Sequence, residues 1–382
     1  MSNPSFIDTK RILALDGIRG IAFLMVFGAH IGILSSGFFG VDLFFVLSGF
    51  LITSLLLQEQ KRYASINLYK FYLRRALRLL PALFGVLLGV LLYTGIMLPF
   101  SKFLSALSDA WRIMLYIWNW TLSADWSVTK NWSYIVEHHQ HMYNHLWSLS
   151  VEEQFYIVWP CLLLILLKLP RKVVLFFLLI GIVAPALARF ICWHEGSSLW
   201  IYFRTDMRLD NLFYGVFVAW LVNWGIVPKG KSRVLLSWAG MIAFIGLIGL
   251  GIPDFLTHGE VYQGLFSLAA LFSALLIASA VYCPLAPLKY LLELRLLCWI
   301  GKISYGLYLW HYPVVEILTG QNFSSPFLRD LAITVTTFTI SAISYYKLEL
   351  PFLKLKEKIA HVNPSSFYTG DLYISPAPHQ SQ

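Results

Sequence analysis

Residues 15–53 read LDGIRGIAFLMVFGAHIGILSSGFFGVDLFFVLSGFLIT, and the fold can be inferred from this segment first. It is apolar enough to cross a bilayer twice, yet it contains Asp16, Arg19, His30 and Asp42. Each ionisable group inside a membrane costs about 2.5–3.5 kcal/mol on insertion scales, so such groups usually face a functional interior. Arg19 and His30 are eleven residues apart, which places them on one stripe of a helix, about 16 Å apart along its axis. The stretch therefore predicts a helix with a permanent cation near one membrane face and a titratable base deeper inside.

The composition of the whole chain indicates a polytopic membrane protein. Of 382 residues, 58% are hydrophobic and only 13% are charged, whereas charged residues make up about 25% of a soluble domain. Apolar runs long enough to cross about 30 Å of hydrocarbon recur along the chain. We predict an all-α fold with about ten spans, at residues 14–34, 39–57, 79–99, 146–167, 173–192, 207–224, 235–252, 262–282, 298–319 and 328–348.

Basic residues fall mostly in alternate loops, which predicts the orientation. With the N-terminus inside, the cytoplasmic loops hold most of the Lys and Arg residues, including Lys61, Lys168 and Lys229. This bias favours cytoplasmic N- and C-termini. The net charge of +9 is therefore attributed to topology and lipid contact, and nucleic-acid binding is not expected. Residues 1–358 are predicted to form one transmembrane domain, and residues 359–382, rich in Pro and Ser, a disordered tail.

Several ionisable residues are predicted to reach the outer half of the membrane. Because charges there must pair with one another or line a wet cavity, they indicate a reaction or binding centre. These residues are His30, Asp42, Glu152, Glu153, Arg204, Asp206, Arg208, Asp210 and His311.

A cationic stripe is predicted on the opposite side. Lys70, Arg74 and Arg78 follow an i, i+4, i+8 pattern with Arg75 beside them, so a helix would present them just beneath the membrane before Pro81 begins the next span. One interpretation is contact with anionic lipid. The other is a phosphate site, for which guanidinium groups are well suited, and Arg19 would extend it.

The segment 122–145 contains several histidines and aromatic residues and is predicted to be an outer loop. His141 and His145 could bind zinc from one helix face, but no clear set of further ligands accompanies them, and we predict no metal site. Trp126 and Trp132 favour a platform for a carbohydrate acceptor instead.

Six motifs in order resemble the acyltransferase-3 family of membrane O-acyltransferases, which act on bacterial surface polysaccharides and related glycans. They cover residues 11 to 350. They are Arg19 with His30, GVDLFFVLSGFLIT (40–53), RRALRLLP (74–81), WSLSVEEQFYIVWP (147–160), YFRTDMRLDNLFYG (202–215) and ISYGLYLWHYPVV (303–315).

The resemblance implies transfer of an acyl group, most often acetyl from acetyl-CoA, to a sugar hydroxyl in a bacterial cytoplasmic membrane. By motif, His30 matches the family's essential histidine and Arg19 its basic partner, while Arg75 and Arg78 match an arginine pair attributed to the cytoplasmic side. We therefore expect Arg19, Arg74, Arg75 and Arg78 to bind the anionic part of CoA. Some relatives carry an added esterase-like domain that this chain lacks, which leaves open a separate partner protein in the transfer.

Under this hypothesis His30 acts as a general base or as a transient acyl carrier. A carboxylate from Glu153, Glu152 or Asp42 would hold its tautomer. Adjacent helical residues lie about 100° apart, so only one of Glu152 and Glu153 is expected to face the site, and we favour Glu153.

Other interpretations stay open for several residues. Asp42 is equally suited to capping the second span. His311 has either a catalytic or a packing role. The Arg204, Asp206, Arg208 and Asp210 set is suited to an ion-pair lattice at helix ends or to sugar contact.

For the whole protein, the alternative from another class is a transporter or flippase of a glycolipid, since intramembrane charge also marks substrate paths.

Overall fold

The computed structural model describes residues 12–129, 139, 141–193, 198–254 and 259–360. Within these ranges the chain forms helices and no strand. The α-helices are α1 Leu13–His30, α2 Phe39–Tyr63, α3 Leu68–Met97, α4 Phe100–Met114, α5 Trp118–Thr129, α6 Trp147–Leu166, α7 Arg171–Cys192, α8 Ser198–Phe203, α9 Leu209–Asn223, α10 Lys231–Gly251, α11 Phe266–Tyr282, α12 Ala286–Leu292, α13 Arg295–Lys302, α14 Ser304–Thr319, α15 Pro326–Ile343 and α16 Leu350–Ala360. A 3₁₀ helix, His141–Leu146, precedes α6, and π-helical turns, Val261–Leu265 and Ser344–Glu349, precede α11 and α16.

The all-α polytopic architecture is confirmed. Eight helical segments in the described ranges are long and apolar enough to cross a membrane, and each matches a predicted span: Leu13–His30, Phe39–Tyr63, Leu68–Met97, Met142–Leu166, Arg171–Cys192, Lys231–Gly251, Val261–Tyr282 and Pro326–Leu355. The other two predicted spans correspond to the short apolar helix α9 and to the pair α13 and α14. The predicted tail lies outside the described residues from residue 361 onward.

The third span differs from its predicted start. α3 is one helix of 30 residues that runs through Pro81, where a separate helix was expected to begin. Asn67 caps it by accepting a hydrogen bond from the Lys70 backbone N–H at 2.9 Å. The predicted cationic stripe is therefore the first part of the spanning helix itself, so the arginines in its second and third turns enter the bundle.

The first two helices form the centre of the bundle. Among the candidate spans, α2 has 83% of its most apolar 18-residue window buried and α1 has 72%, against 22% for α7. Glycines permit the close packing: a methyl group on Gly49 would overlap the Leu212 carbonyl oxygen of α9, and one on Gly17 would overlap the Leu292 carbonyl. Small residues allow helix backbones to approach closely in this way. The charged residues of α1 and α2 are thereby held inside the protein.

Candidate active site

A cavity of about 90 Å³ lies between α1, α2, α3, α6 and α14, enough for a few water molecules or a small acyl group. Its wall combines apolar side chains, such as Phe44 and Leu149, with many polar ones. The polar lining residues are Arg19, Ser48, Arg75, Arg78, Ser148, Glu152, Tyr156, Ser304, Tyr305 and Tyr308.

Helical periodicity explains which residues of α6 reach the cavity. Leu149, Glu152 and Tyr156 have i, i+3, i+7 spacing and line it together, as expected for one helix face. Glu153 lies about 100° around the helix and pairs with Arg75 at 3.4 Å. Glu152 therefore lines the cavity, whereas Glu153 was the glutamate expected to face the site.

Three of the four predicted phosphate-binding arginines meet at the cavity: Arg19, Arg75 and Arg78. Arg74 does not line it, because its guanidinium pairs with Glu59 at 3.0 Å. Arg75 is committed to internal contacts, since it pairs with Glu153 and stacks 3.9 Å from the centre of the Tyr156 ring. Glu152 accepts hydrogen bonds from the Ser48 hydroxyl at 3.0 Å and the Tyr156 hydroxyl at 3.3 Å.

Arg19 and Arg78 are the uncommitted cations of the cavity. Within the described part of the chain, neither forms an ion pair or a hydrogen bond. Both are half-buried and line the cavity, so their guanidinium N–H groups are available to an anion that enters it.

Three histidines form a second feature, the histidine cluster, consisting of His30, His145 and His311. The ring centre of His311 is 5.1 Å from that of His30 and 5.2 Å from that of His145. The Tyr312 ring lies 4.9 Å from His30 and 5.1 Å from His145. His145, predicted to lie in an outer loop, is buried here with 5% exposure.

The tautomer of His30 is held by the main chain and not by a carboxylate. His30 Nδ1 donates to the Val26 carbonyl oxygen at 2.8 Å, because a carbonyl oxygen only accepts. The carboxylates proposed for this task have other partners: Glu152 bonds Ser48, Glu153 pairs with Arg75, and Asp42 pairs with Arg208. The acidic residue whose charge acts on His30 is Glu316.

The cavity and the histidine cluster meet at two hydroxyl groups. Tyr308 and Ser148 both line the cavity, and their hydroxyl oxygens are 2.5 Å apart. The Tyr308 hydroxyl donates to the His145 carbonyl at 2.9 Å, and the Tyr308 ring centre is 5.4 Å from that of His311. Tyr308 therefore contacts both the cavity and the histidine cluster, although none of the three histidines lines the cavity itself.

Asp42 belongs to a buried ion pair. It lies inside α2, whose N-terminus has no side-chain cap, so the capping interpretation is wrong. Its carboxylate pairs with Arg208 at 2.7 Å, and both side chains are fully buried. Arg208 also stacks 3.7 Å from the centre of the Phe266 ring, and Asn211 donates to Asp42.

The other charges of the YFRTDMRLDNLFYG motif are paired as well. Asp210 binds Arg189 at 2.5 Å, an arginine that the sequence analysis did not single out. Arg204 pairs with Asp206 at 2.6 Å and stacks against Trp120 and Trp200. Arg208 and Asp210 thus pair with residues of other helices, Asp42 of α2 and Arg189 of α7, whereas Arg204 pairs with Asp206 in its own segment.

The segment 122–145 has a separate charged cluster. His139 Nδ1 is 2.9 Å from Asp109, and its Nε2 is 2.6 Å from Asp125. Burial alone would lower the pKa of His139, but the two carboxylates raise the pKa above its ordinary value. Trp126 packs against the core, whereas Trp132 lies outside the described residues. No group of three His, Cys, Asp or Glu side chains suited to a metal ion occurs in the described ranges.

Sequence reasoning missed Ser148, Tyr156, Tyr308 and His145 as members of the site. A signal was present for Tyr308, which precedes His311 by three residues and so shares its helix face. Ser148 and Tyr156 flank Glu152 at similar spacing. His145 had no such signal, because only the path of the 3₁₀ helix brings it beside α14.

Comparison with known proteins defines the class of protein to which the chain belongs. The sequence profile of the family described as "Acyltransferase domain" matches residues 12–346. The chain therefore belongs to this family of acyltransferases, which confirms the resemblance noted from the motifs.

Individual relatives come from Staphylococcus aureus. The chain is 32% identical over 349 residues to the O-acetyltransferase OatA of strain NCTC 8325, covering 89% of this chain and 57% of OatA. It is 34% identical over 374 residues to a protein of strain COL that is provisionally named an O-acetyltransferase, covering 93% of this chain and 59% of that protein. The chain thus spans a little under 60% of the length of these relatives. No solved structure matches it.

Proposed function

We propose that the protein is an integral membrane O-acyltransferase that moves an acyl group, most simply acetyl, from acyl-CoA to a hydroxyl of a carbohydrate acceptor. The observation that carries this proposal is the cavity itself. It presents two uncommitted guanidinium groups, Arg19 and Arg78, and meets the histidine cluster at Tyr308 and Ser148. Family membership and the O-acetyltransferase names of relatives support the same reaction.

The donor is proposed to enter from the arginine side. Arg19 and Arg78 attract its anionic groups, and Arg75 supports them from its fixed position beside Glu153 and Tyr156. A cavity of about 90 Å³ holds only the reactive end of CoA, so the nucleotide stays outside it. Arg19 and His30 share one stripe of α1 about 16 Å apart, a span that suits an extended pantetheine arm.

The transfer is proposed to occur at His30. Its Nδ1–H is bonded to Val26, so in the neutral imidazole Nε2 carries the lone pair. Nε2 takes the proton of the acceptor hydroxyl as that oxygen attacks the thioester carbonyl. The C–S bond then breaks, and the thiolate takes the proton back from His30. Acylation of Nε2 itself, followed by transfer to the hydroxyl, uses the same atom.

Purified protein in nanodiscs with acetyl-CoA labelled in the acetyl group tests this function. We expect time-dependent loss of thioester, a decrease of more than about 100-fold in His30→Ala, and a KM for acetyl-CoA raised about tenfold or more in Arg78→Ala. Arg171→Ala is the matched control, since Arg171 is an exposed guanidinium at the start of α7.

Failure of wild-type protein to bind acetyl-CoA or to release its acetyl group, with glycan acceptor present, would contradict the proposal. Movement of a glycolipid without covalent change would then favour a transporter.

A further inference from the structure

The histidine cluster has three basic nitrogen atoms whose orientation is set by the main chain. His30 Nδ1 bonds the Val26 carbonyl at 2.8 Å, His311 Nδ1 bonds the Tyr308 carbonyl at 2.6 Å, and His145 Nε2 bonds the Leu309 carbonyl at 3.2 Å. Since carbonyl oxygens only accept, each of these nitrogens carries a proton. In the neutral rings, the lone pairs are therefore on His30 Nε2, His311 Nε2 and His145 Nδ1.

Within the described ranges, no donor faces the lone pairs of His311 Nε2 and His145 Nδ1. His311 is fully buried and His145 is 5% exposed. Neither His311 Nε2 nor His145 Nδ1 has a hydrogen-bond partner among the described residues. A buried polar atom without a partner is unfavourable, so the cluster favours a ligand that donates several hydrogen bonds at once.

The surroundings define what kind of donor fits. The Phe23 ring lies 5.9 Å from His311 and the Phe27 ring 6.4 Å from it, and no ion pair to His30, His145 or His311 occurs in the described ranges. Apolar walls around bare lone pairs favour neutral hydroxyl groups. An anion is disfavoured, because the lone pairs would repel it.

We propose that the histidine cluster is the acceptor subsite, and that it takes a ligand with at least two neighbouring hydroxyl groups. One hydroxyl donates to His30 Nε2 and reacts, while an adjacent hydroxyl donates to His311 Nε2; the His145 ring, whose centre is 5.2 Å from that of His311, supplies the next acceptor. His145 and His311 thereby hold the acceptor beside the base. This inference rests on the proposed function and deepens it, since it defines the acceptor as a vicinal diol or polyol and not a simple alcohol.

Binding can be measured without turnover. Protein labelled with ¹⁵N in its histidines is placed in nanodiscs and titrated with cis-1,2-cyclohexanediol, with cyclohexanol as the matched probe that lacks the second hydroxyl. We expect the diol to shift the signals of the unprotonated nitrogens of His145 and His311, and to bind about tenfold more tightly than cyclohexanol. His311→Phe should abolish that preference, whereas His139→Gln, which alters a histidine outside the cluster, should keep it.

The outcomes separate the two proposals. Equal affinity for the two probes, or a diol response that leaves the cluster signals unchanged, overturns the acceptor subsite even if acetyl-CoA is turned over. A diol response that requires His311, in protein that neither binds nor cleaves acetyl-CoA, keeps the subsite and overturns the proposed function. The wild-type titration needs no variant to fold, so it decides the question even if His311→Phe is unstable.

Discussion

At the scale of single residues, the surroundings of each polar group decide its role more than its residue type does. Asp42 and Glu152 are both carboxylates in the central helices. Asp42 is paired with a fully buried arginine at 2.7 Å, and breaking such a pair leaves an uncompensated charge that costs about 3–5 kcal/mol. Glu152 faces the cavity, where its hydrogen-bond partners among the described residues are hydroxyl groups, which leaves its charge available to Arg19 or Arg78.

His139 provides a prediction about pH. Its pKa is raised in the folded protein by Asp109 and Asp125, so its stabilising effect is complete below the unfolded value of about 6.5 and is lost as pH rises through the folded value. We expect the thermal unfolding temperature of the wild type to fall between neutral and alkaline pH more steeply than that of His139→Gln. Scanning fluorimetry in detergent at several pH values measures this difference. Parallel curves for the two proteins would contradict the contacts of His139 with Asp109 on α4 and Asp125 on α5.

At the scale of helices, close packing between α2 and α9 positions the charged residues. A methyl group on Gly215 would overlap the Val46 carbonyl oxygen, and one on Gly49 would overlap the Leu212 carbonyl. The backbones of α2 and α9 therefore approach closely at two successive places along the interface, at Gly215 and at Gly49. This contact brings Asp42 on α2 beside Arg208 and Asn211 at the start of α9.

Gly215→Ala should therefore lower stability by about 1–3 kcal/mol or more, although alanine is the better helix former by about 1 kcal/mol. Gly249→Ala is the matched control, because nothing lies within 4 Å of a methyl group there. Thermal unfolding and yield of folded protein measure both variants. If Gly215→Ala is as stable as Gly249→Ala, the two helices do not pack as described.

At the scale of the whole molecule, the site divides into an arginine end and a histidine end along one helix. Arg19 near the start of α1 lies at the cavity, and His30 at its last residue lies in the histidine cluster. Such a division suits a donor and an acceptor that approach from opposite sides of a membrane. The orientation of the chain in the membrane therefore determines which end of the site faces the cytoplasm.

The orientation predicted from Lys and Arg places the arginine end toward the cytoplasm, where CoA is made, and the histidine end toward the outside. Fusion of a reporter active only in the cytoplasm after Lys229 should therefore give signal, and a fusion within residues 130–138 should not. Accessibility of single cysteines introduced at the same two places provides an independent measurement. The opposite pattern would invert the topology and remove the donor from the arginine end.

The membrane class, nearly all of the spans and the family follow from the sequence alone, because hydropathy, length and motif order are local properties of the chain. The cost of a polar group inside a membrane singled out Arg19, His30 and His311 as candidates, and helical spacing singled out Arg78. Which charges are already paired is visible only in the folded protein, because Asp42 and Arg208 are 166 residues apart in the chain. The same holds for His145, since a 3₁₀ helix brings it beside α14 and no periodicity in the sequence records that contact.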